Sequence, residues 1–122
     1  MRLYHYTNED IKDKIKISFF GLNTYTSNSK RISNIKRSYF YIDRDKKEYF
    51  LNGARYCYIV ELNINKLYNL NTDILGIVKN LKNTQDIFQE VKNKGYRGVI
   101  GSNGFNCVVL FKDIKIKEKI IL

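Results

Sequence analysis

Arg55-Tyr56-Cys57-Tyr58-Ile59-Val60-Glu61-Leu62 decides the fold class. Tyr56, Tyr58, Val60 and Leu62 alternate with Cys57, Ile59 and Glu61, and aromatic and branched side chains favour extended chain. Both faces of the run are apolar. A strand of that kind has neighbours on both sides and lies inside a sheet. The rest of the chain must supply those neighbours.

Upstream, residues 3–6 read as a first strand and 39–42 as a second. Thr7 or Asn8 is placed to cap a helix over 9–16, with Ile11 and Ile15 one turn apart and Glu9 and Asp10 at its positive end. Residues 18–36 have little periodicity and read as a long loop, and 44–53 as a charged turn region. Downstream, 65–71 connects to a short helix near 72–80. Thr84 can cap a further helix to Lys94, with Ile87, Phe88 and Val91 as its buried stripe and Gly95 as its stop. Strands follow at 96–100, 106–111 and 114–122, the first two joined by a hairpin turn at Gly101-Ser102-Asn103-Gly104. In the last strand Ile114 and Ile116 alternate with Lys115 and Lys117, which reads as a sheet edge with a charged wet side. This order predicts an α+β fold, a split and mostly antiparallel sheet with two or three short helices, in a single domain over 1–122.

The chain has 122 residues and no run approaching the ~20 apolar residues of a membrane helix. Its opening turns polar by Thr7, so neither a secretory segment nor a membrane anchor is expected, and the expected location is the cytoplasm of a host cell. Cys57 and Cys107 sit in apolar strand-like runs, where buried free thiols are the ordinary outcome. The net charge is +10, but 16 Lys, 16 Ile and 14 Asn with no Pro is also what an AT-rich coding sequence produces. Local clusters therefore say more than the total. The densest holds Lys30, Arg31, Lys36, Arg37, Arg44, Lys46 and Lys47 against Asp43 and Asp45, with Tyr39, Phe40 and Tyr41 interleaved. Cations beside aromatic rings suit phosphate contact and base stacking, although such a run is also what a solvated loop beside a buried strand looks like.

His5 is the one histidine of the chain, between Tyr4 and Tyr6 at the head of the fold. With no Cys, Asp or Glu at ligand spacing around it, no metal site is expected. An acyl-transfer triad has little support, because no second histidine is available to serve a Ser or Cys nucleophile. A hydrogen-bonding role toward a ligand competes with the plainer role of a packed strand residue.

Taken together, Leu3-Tyr4-His5-Tyr6-Thr7, Arg37-Ser38-Tyr39-Phe40-Tyr41, Leu67-Tyr68-Asn69-Leu70, Asp73-Ile74-Leu75-Gly76, Gly95-Tyr96-Arg97-Gly98 and Val108-Val109-Leu110-Phe111 resemble, in order and spacing, the small ADP-ribosyltransferase-like domains of phage and plasmid polyvalent proteins. The resemblance spans nearly the whole chain. It implies that His5 hydrogen-bonds a ribose hydroxyl of NAD and that the backbone at Tyr6 reads the nicotinamide amide. It also implies that Tyr39 or Tyr41 stacks on the nicotinamide ring and that Arg37 meets the pyrophosphate. The late-strand acid of such enzymes falls most nearly at Asn106, which can hydrogen-bond a ribose but brings no charge. The catalytic set implied is His5, Tyr41 and Asn106.

Two functions follow as expectations. One is a phage or mobile-element protein that moves ADP-ribose from NAD to a host macromolecule. The other is a non-catalytic inhibitor, of the kind found among anti-CRISPR proteins, that grips RNA or a nucleoprotein effector through Lys30, Arg31, Lys36, Arg37 and Arg44.

Overall fold

The computed structural model describes residues 1–18, 35–42, 53–82, 86–101 and 107–122. Seven strands form the main sheet: β1 (Arg2–Thr7), β3 (Ser38–Tyr41), β4 (Tyr56–Glu61), β5 (Leu67–Asn69), β6 (Gly98–Ile100), β7 (Cys107–Leu110) and β9 (Glu118–Ile121). Their spatial order is β5-β6-β7-β3-β1-β4-β9, and only β5–β6 is parallel. A separate ribbon pairs β2 (Lys14–Ile15) with β8 (Ile114–Lys115). One α-helix, α1 (Ile87–Asn93), is present among the described residues. The result is a sheet-rich α+β fold with a mixed, mostly antiparallel sheet.

Three layers follow from the alternation of side chains along each strand. On one face Leu3, Phe40, Tyr58, Val60, Val108 and Leu110 pack against Ile15 and Ile114 of the ribbon. On the other, Tyr68, Val99, Val109 and Phe111 pack against Phe88 and Val91 of α1. The run that decides the fold behaves as expected: β4 lies between β1 and β9, and Cys57 to Val60 are buried on both faces. Both cysteines are free thiols, Cys57 buried and Cys107 half-buried.

Four expectations need correction. Residues 9–16 are not helical. Ile15 sits in the β2 ladder opposite Ile114, and the Tyr58 hydroxyl holds the preceding backbone extended. It accepts from the Ile11 N–H at 2.6 Å and donates to the Glu9 carbonyl at 2.8 Å, leaving those groups no use for a helical turn. Residues 72–80 are turns. There Asp73 has a left-handed φ of 44°, and its carboxylate accepts from the Tyr68 hydroxyl and from the Val78 and Lys79 N–H groups at 3.1 and 2.9 Å. Part of the connector at 65–71 is instead strand β5. The final strand breaks in two. Ile114 is drawn to the ribbon, while β9 becomes the sheet edge beside β4, paired through Ile59↔Glu118 to Tyr56↔Ile121.

The helix stripe and its glycine stop hold. Asp86 is the N-cap, its carboxylate accepting from the Phe88 and Gln89 N–H groups at 2.9 and 3.2 Å, and Gly95 ends the turn at φ 94°. The expected cap Thr84, nearly all of the 18–36 loop and most of the 44–53 region lie outside the described residues, as does the turn after Gly101.

Candidate functional site

A cleft of about 650 Å³ opens between β1, β3 and the arm that leads through β2. That volume is within the range of small-molecule sites. Its lining includes His5, Ser38, Glu9, Lys12, Lys14 and Lys16.

His5 lies two residues from Leu3 and Ser38 two from Phe40, so both side chains issue from the face that packs on the ribbon. The His5 ring is tilted against Phe40 with centroids 5.4 Å apart. Its Nδ1 is 2.8 Å from the Tyr39 carbonyl oxygen. A carbonyl only accepts, so Nδ1 carries the proton and Nε2 carries a lone pair. Burial lowers the His5 pKa below its ordinary 6.5, opposed by the Tyr39 hydrogen bond and the Glu9 carboxylate. The imidazole is therefore neutral at pH 7, and among the described residues its Nε2 makes no hydrogen bond.

Ser38 supplies the second open group. It is only 6 % exposed, and its buried Oγ has no hydrogen-bond partner. Leaving a buried hydroxyl unsatisfied costs roughly 1–3 kcal/mol, a cost that a bound ligand would remove. An acceptor nitrogen and a hydroxyl thus stand on one wall, with lysines along the other.

The expected site residues divide between two faces. Tyr6, Tyr39 and Tyr41 alternate out of phase with His5 and Ser38. The Tyr6 and Tyr41 rings lie 6.1 Å apart on the opposite side of the sheet, and Tyr39 packs there against the α1 core. Burial, with Cys107 beside it, raises the Tyr41 pKa, and burial pushes the Cys107 thiol up to about 11. Tyr6 and Tyr39 still contribute to the lining of the cleft beside His5, whereas Tyr41 is not among the residues that line it.

Arg37 also lines the cleft. Its backbone pairs with Ser18 at the cleft, but the side chain is 2 % exposed and runs under α1. The guanidinium lies 5.7 Å from the Tyr39 ring centre and 5.6 Å from that of Phe88, with Nε donating to the Tyr39 hydroxyl at 2.5 Å. A guanidinium held this way supports the core on that side of the sheet.

Asn106, Lys30, Arg31 and Arg44 lie outside the described residues; Lys36 is exposed. The residues that sequence reading missed are Ser38, and Glu9, Lys12 and Lys16, the last three because the segment that carries them was expected to be a helix. The alternation Ile11, Ile15, Ile17 against Lys12, Lys14, Lys16 was the signal for extended chain.

No metal-binding group of His, Cys, Asp and Glu side chains occurs among the described residues, and no described helix is long and apolar enough to cross a membrane. No protein-family model, no curated protein and no solved structure matches the chain. The class of the molecule thus rests on its own geometry, that of a sheet-rich α+β protein with a lysine-lined polar cleft.

Proposed function

We propose that this protein binds a ribonucleotide, NAD first among them, in the His5–Ser38 cleft, and acts as an ADP-ribosyltransferase-like protein of a phage or mobile element directed at a host macromolecule. The observation that carries this reading is the pair of open groups, His5 Nε2 and the buried, unpartnered Ser38 Oγ, on one wall of the cleft. A ribose diol supplies a donor for the nitrogen and a second hydroxyl for the serine. Lys12 and Lys16 line the same space and suit the phosphates. NAD supplies, when bound, an ADP-ribosyl group activated by its nicotinamide. Glu9 borders the cleft and acts electrostatically on His5, so it is the carboxylate available for the part that Asn106 cannot play.

A second reading is favoured by one placement. The rings of Tyr39 and Tyr41, cast as the nicotinamide stack, belong to the other face. A pocket that fits ribose and phosphate without that stack would hold its ligand and leave it intact. The protein would then be a non-catalytic inhibitor of RNA or a nucleoprotein such as a CRISPR effector.

The test is calorimetric titration with NAD and ADP-ribose, followed by incorporation of labelled NAD into a low-GC bacterial lysate, for wild type and His5→Ala. Binding plus a label that vanishes in the variant supports the transferase. Binding without label supports the inhibitor. No heat with either compound overturns the ribonucleotide site.

A further inference from the structure

We infer that the wet face of the β2–β8 ribbon, carrying Lys12, Lys14, Lys16 and Lys115, is a track for the phosphates of single-stranded nucleic acid. The track shares Lys12 and Lys16 with the proposed ribonucleotide site.

The fold keeps one unfavourable contact on this face. Lys14 stands directly opposite Lys115 in the antiparallel ladder. Like charges in that position destabilise a sheet. Relief is partial: Asp113 reaches Lys14 Nζ at 3.8 Å, but it also accepts from the Ile17 N–H at 2.8 Å. Lysines that only keep an open edge soluble have no need to face one another.

Lys12, Lys14 and Lys16 are exposed, as is Asp13 between the first two, while Ile11, Ile15 and Ile17 are wholly or partly buried. Extended chain sets alternate residues roughly 6.7 Å apart. A regular row of cations suits the regular anions of a polynucleotide better than it suits one compact anion.

Lys117 pairs with Glu61, which also takes Arg2, and Lys119 pairs with Asp10. Among the described residues, Lys12, Lys16 and Lys115 have no carboxylate at ion-pair distance. The positive charge left over in this part of the molecule is therefore concentrated on the ribbon. Lys12, Lys14 and Lys16 also border the cleft, so a strand following the row passes its mouth.

The experiment is fluorescence anisotropy with a short labelled oligouridine over a series of salt concentrations. Binding should weaken linearly in log–log form, with a slope contribution of about 0.7 for each phosphate contact. The triple variant Lys12→Gln/Lys14→Gln/Lys16→Gln should flatten that slope by about two. A control, Lys79→Gln/Lys82→Gln/Lys94→Gln, removes the same charge elsewhere and should leave the slope unchanged. Lys115→Glu gives an independent reading. It replaces the like-charge pair with an attractive one, so it should melt higher than wild type and yet bind the oligonucleotide more weakly. Equal losses in the two triple variants would reduce the effect to net charge and overturn the proposal. So would absence of salt-dependent binding by the wild type, or competition by polyglutamate as strong as by unlabelled RNA, which would point to an acidic protein instead. Loss of NAD binding in His5→Ala with the oligouridine slope intact would separate this track from the cleft.

Discussion

The Nδ1 of His5 donates to the Tyr39 carbonyl oxygen across 2.8 Å, from one sheet strand to its neighbour. This bond fixes the tautomer and leaves Nε2 as an acceptor toward the cleft. Asn at position 5 can offer a donor near the Nδ1 position but nothing in place of Nε2. His5→Asn should therefore fold and melt within a few degrees of wild type while its affinity for NAD falls about tenfold, the value of one hydrogen bond near 1.4 kcal/mol. Calorimetry beside a thermal melt checks both. Unchanged affinity would remove His5 from the site.

Burial, the largest influence on His5, lowers its pKa from 6.5. The unfolded chain then takes up a proton at a higher pH than the folded one. Stability should fall as pH drops below about 6.5, and the loss should level off below the folded pKa. The same protonation removes the Nε2 lone pair, so NAD affinity should weaken as pH passes the folded value. Asp10, Asp73 and Glu61 have pKa values held below their ordinary 3.8, 3.8 and 4.5, so their contributions are lost at lower pH. Denaturant titrations of wild type and His5→Asn from about pH 7.5 to 5 isolate the histidine. A wild type that gains stability on acidification relative to the variant would mean that Glu9, not burial, governs the ring.

Ser38 offers a trade between stability and binding. Its hydroxyl is buried without a partner. Removing such a group spares its desolvation, so Ser38→Ala should match or exceed the wild-type stability of the ligand-free protein, by up to about 1 kcal/mol. The same change should weaken NAD binding several-fold. Chemical denaturation with and without NAD reads both terms. A loss of stability in the ligand-free variant would show that the hydroxyl is already satisfied.

How far the sequence carries this reading depends on the range of the forces involved. The β4 strand was legible because Tyr56 to Leu62 announce burial on both faces within one short run. The α1 stripe was legible because Phe88 and Val91 repeat at helical spacing. The 9–16 segment was not, because two periodicities compete there. Ile11 and Ile15 fit a helix, Ile15 and Ile17 fit a strand, and a hydroxyl 47 residues further on decides between them. The site divided on the same kind of fact. The His5 and Tyr41 motifs looked like parts of one pocket because each sits at a strand in the right order. Strand parity sends their side chains to opposite faces, and the register that fixes it, Tyr4 opposite Tyr41, is a long-range contact. Ser38, one residue from each of two noted candidates, stood out only once its lack of a partner could be seen.

Gly98 ties the late strands together in a way open to direct test. A Cβ built on it would lie 2.1 Å from the Val109 carbonyl oxygen, which is backbone in the partner strand and cannot give way. Gly98→Ala should cost about 3 kcal/mol or more through lost β6–β7 pairing. The melt should show it as a shift of several degrees. A variant that melts like wild type would mean that β6 and β7 approach less closely.

Arg37 and Lys36 are sequence neighbours in the cluster expected to contact phosphates, and they now call for opposite outcomes. Lys36 is exposed, whereas the Arg37 guanidinium is buried between Tyr39 and Phe88. Arg37→Ala would open a void beside α1 and strand the groups that the guanidinium serves, a loss of about 3 kcal/mol or more. Lys36→Ala should stay within about 0.5 kcal/mol of wild type. NAD affinity at a temperature where both variants are folded should change less than about twofold, since the Arg37 guanidinium is engaged by Tyr39 and Phe88. Should Arg37→Ala keep its stability and lose NAD instead, the arginine would be a ligand contact in the cleft it lines, as its pyrophosphate role requires.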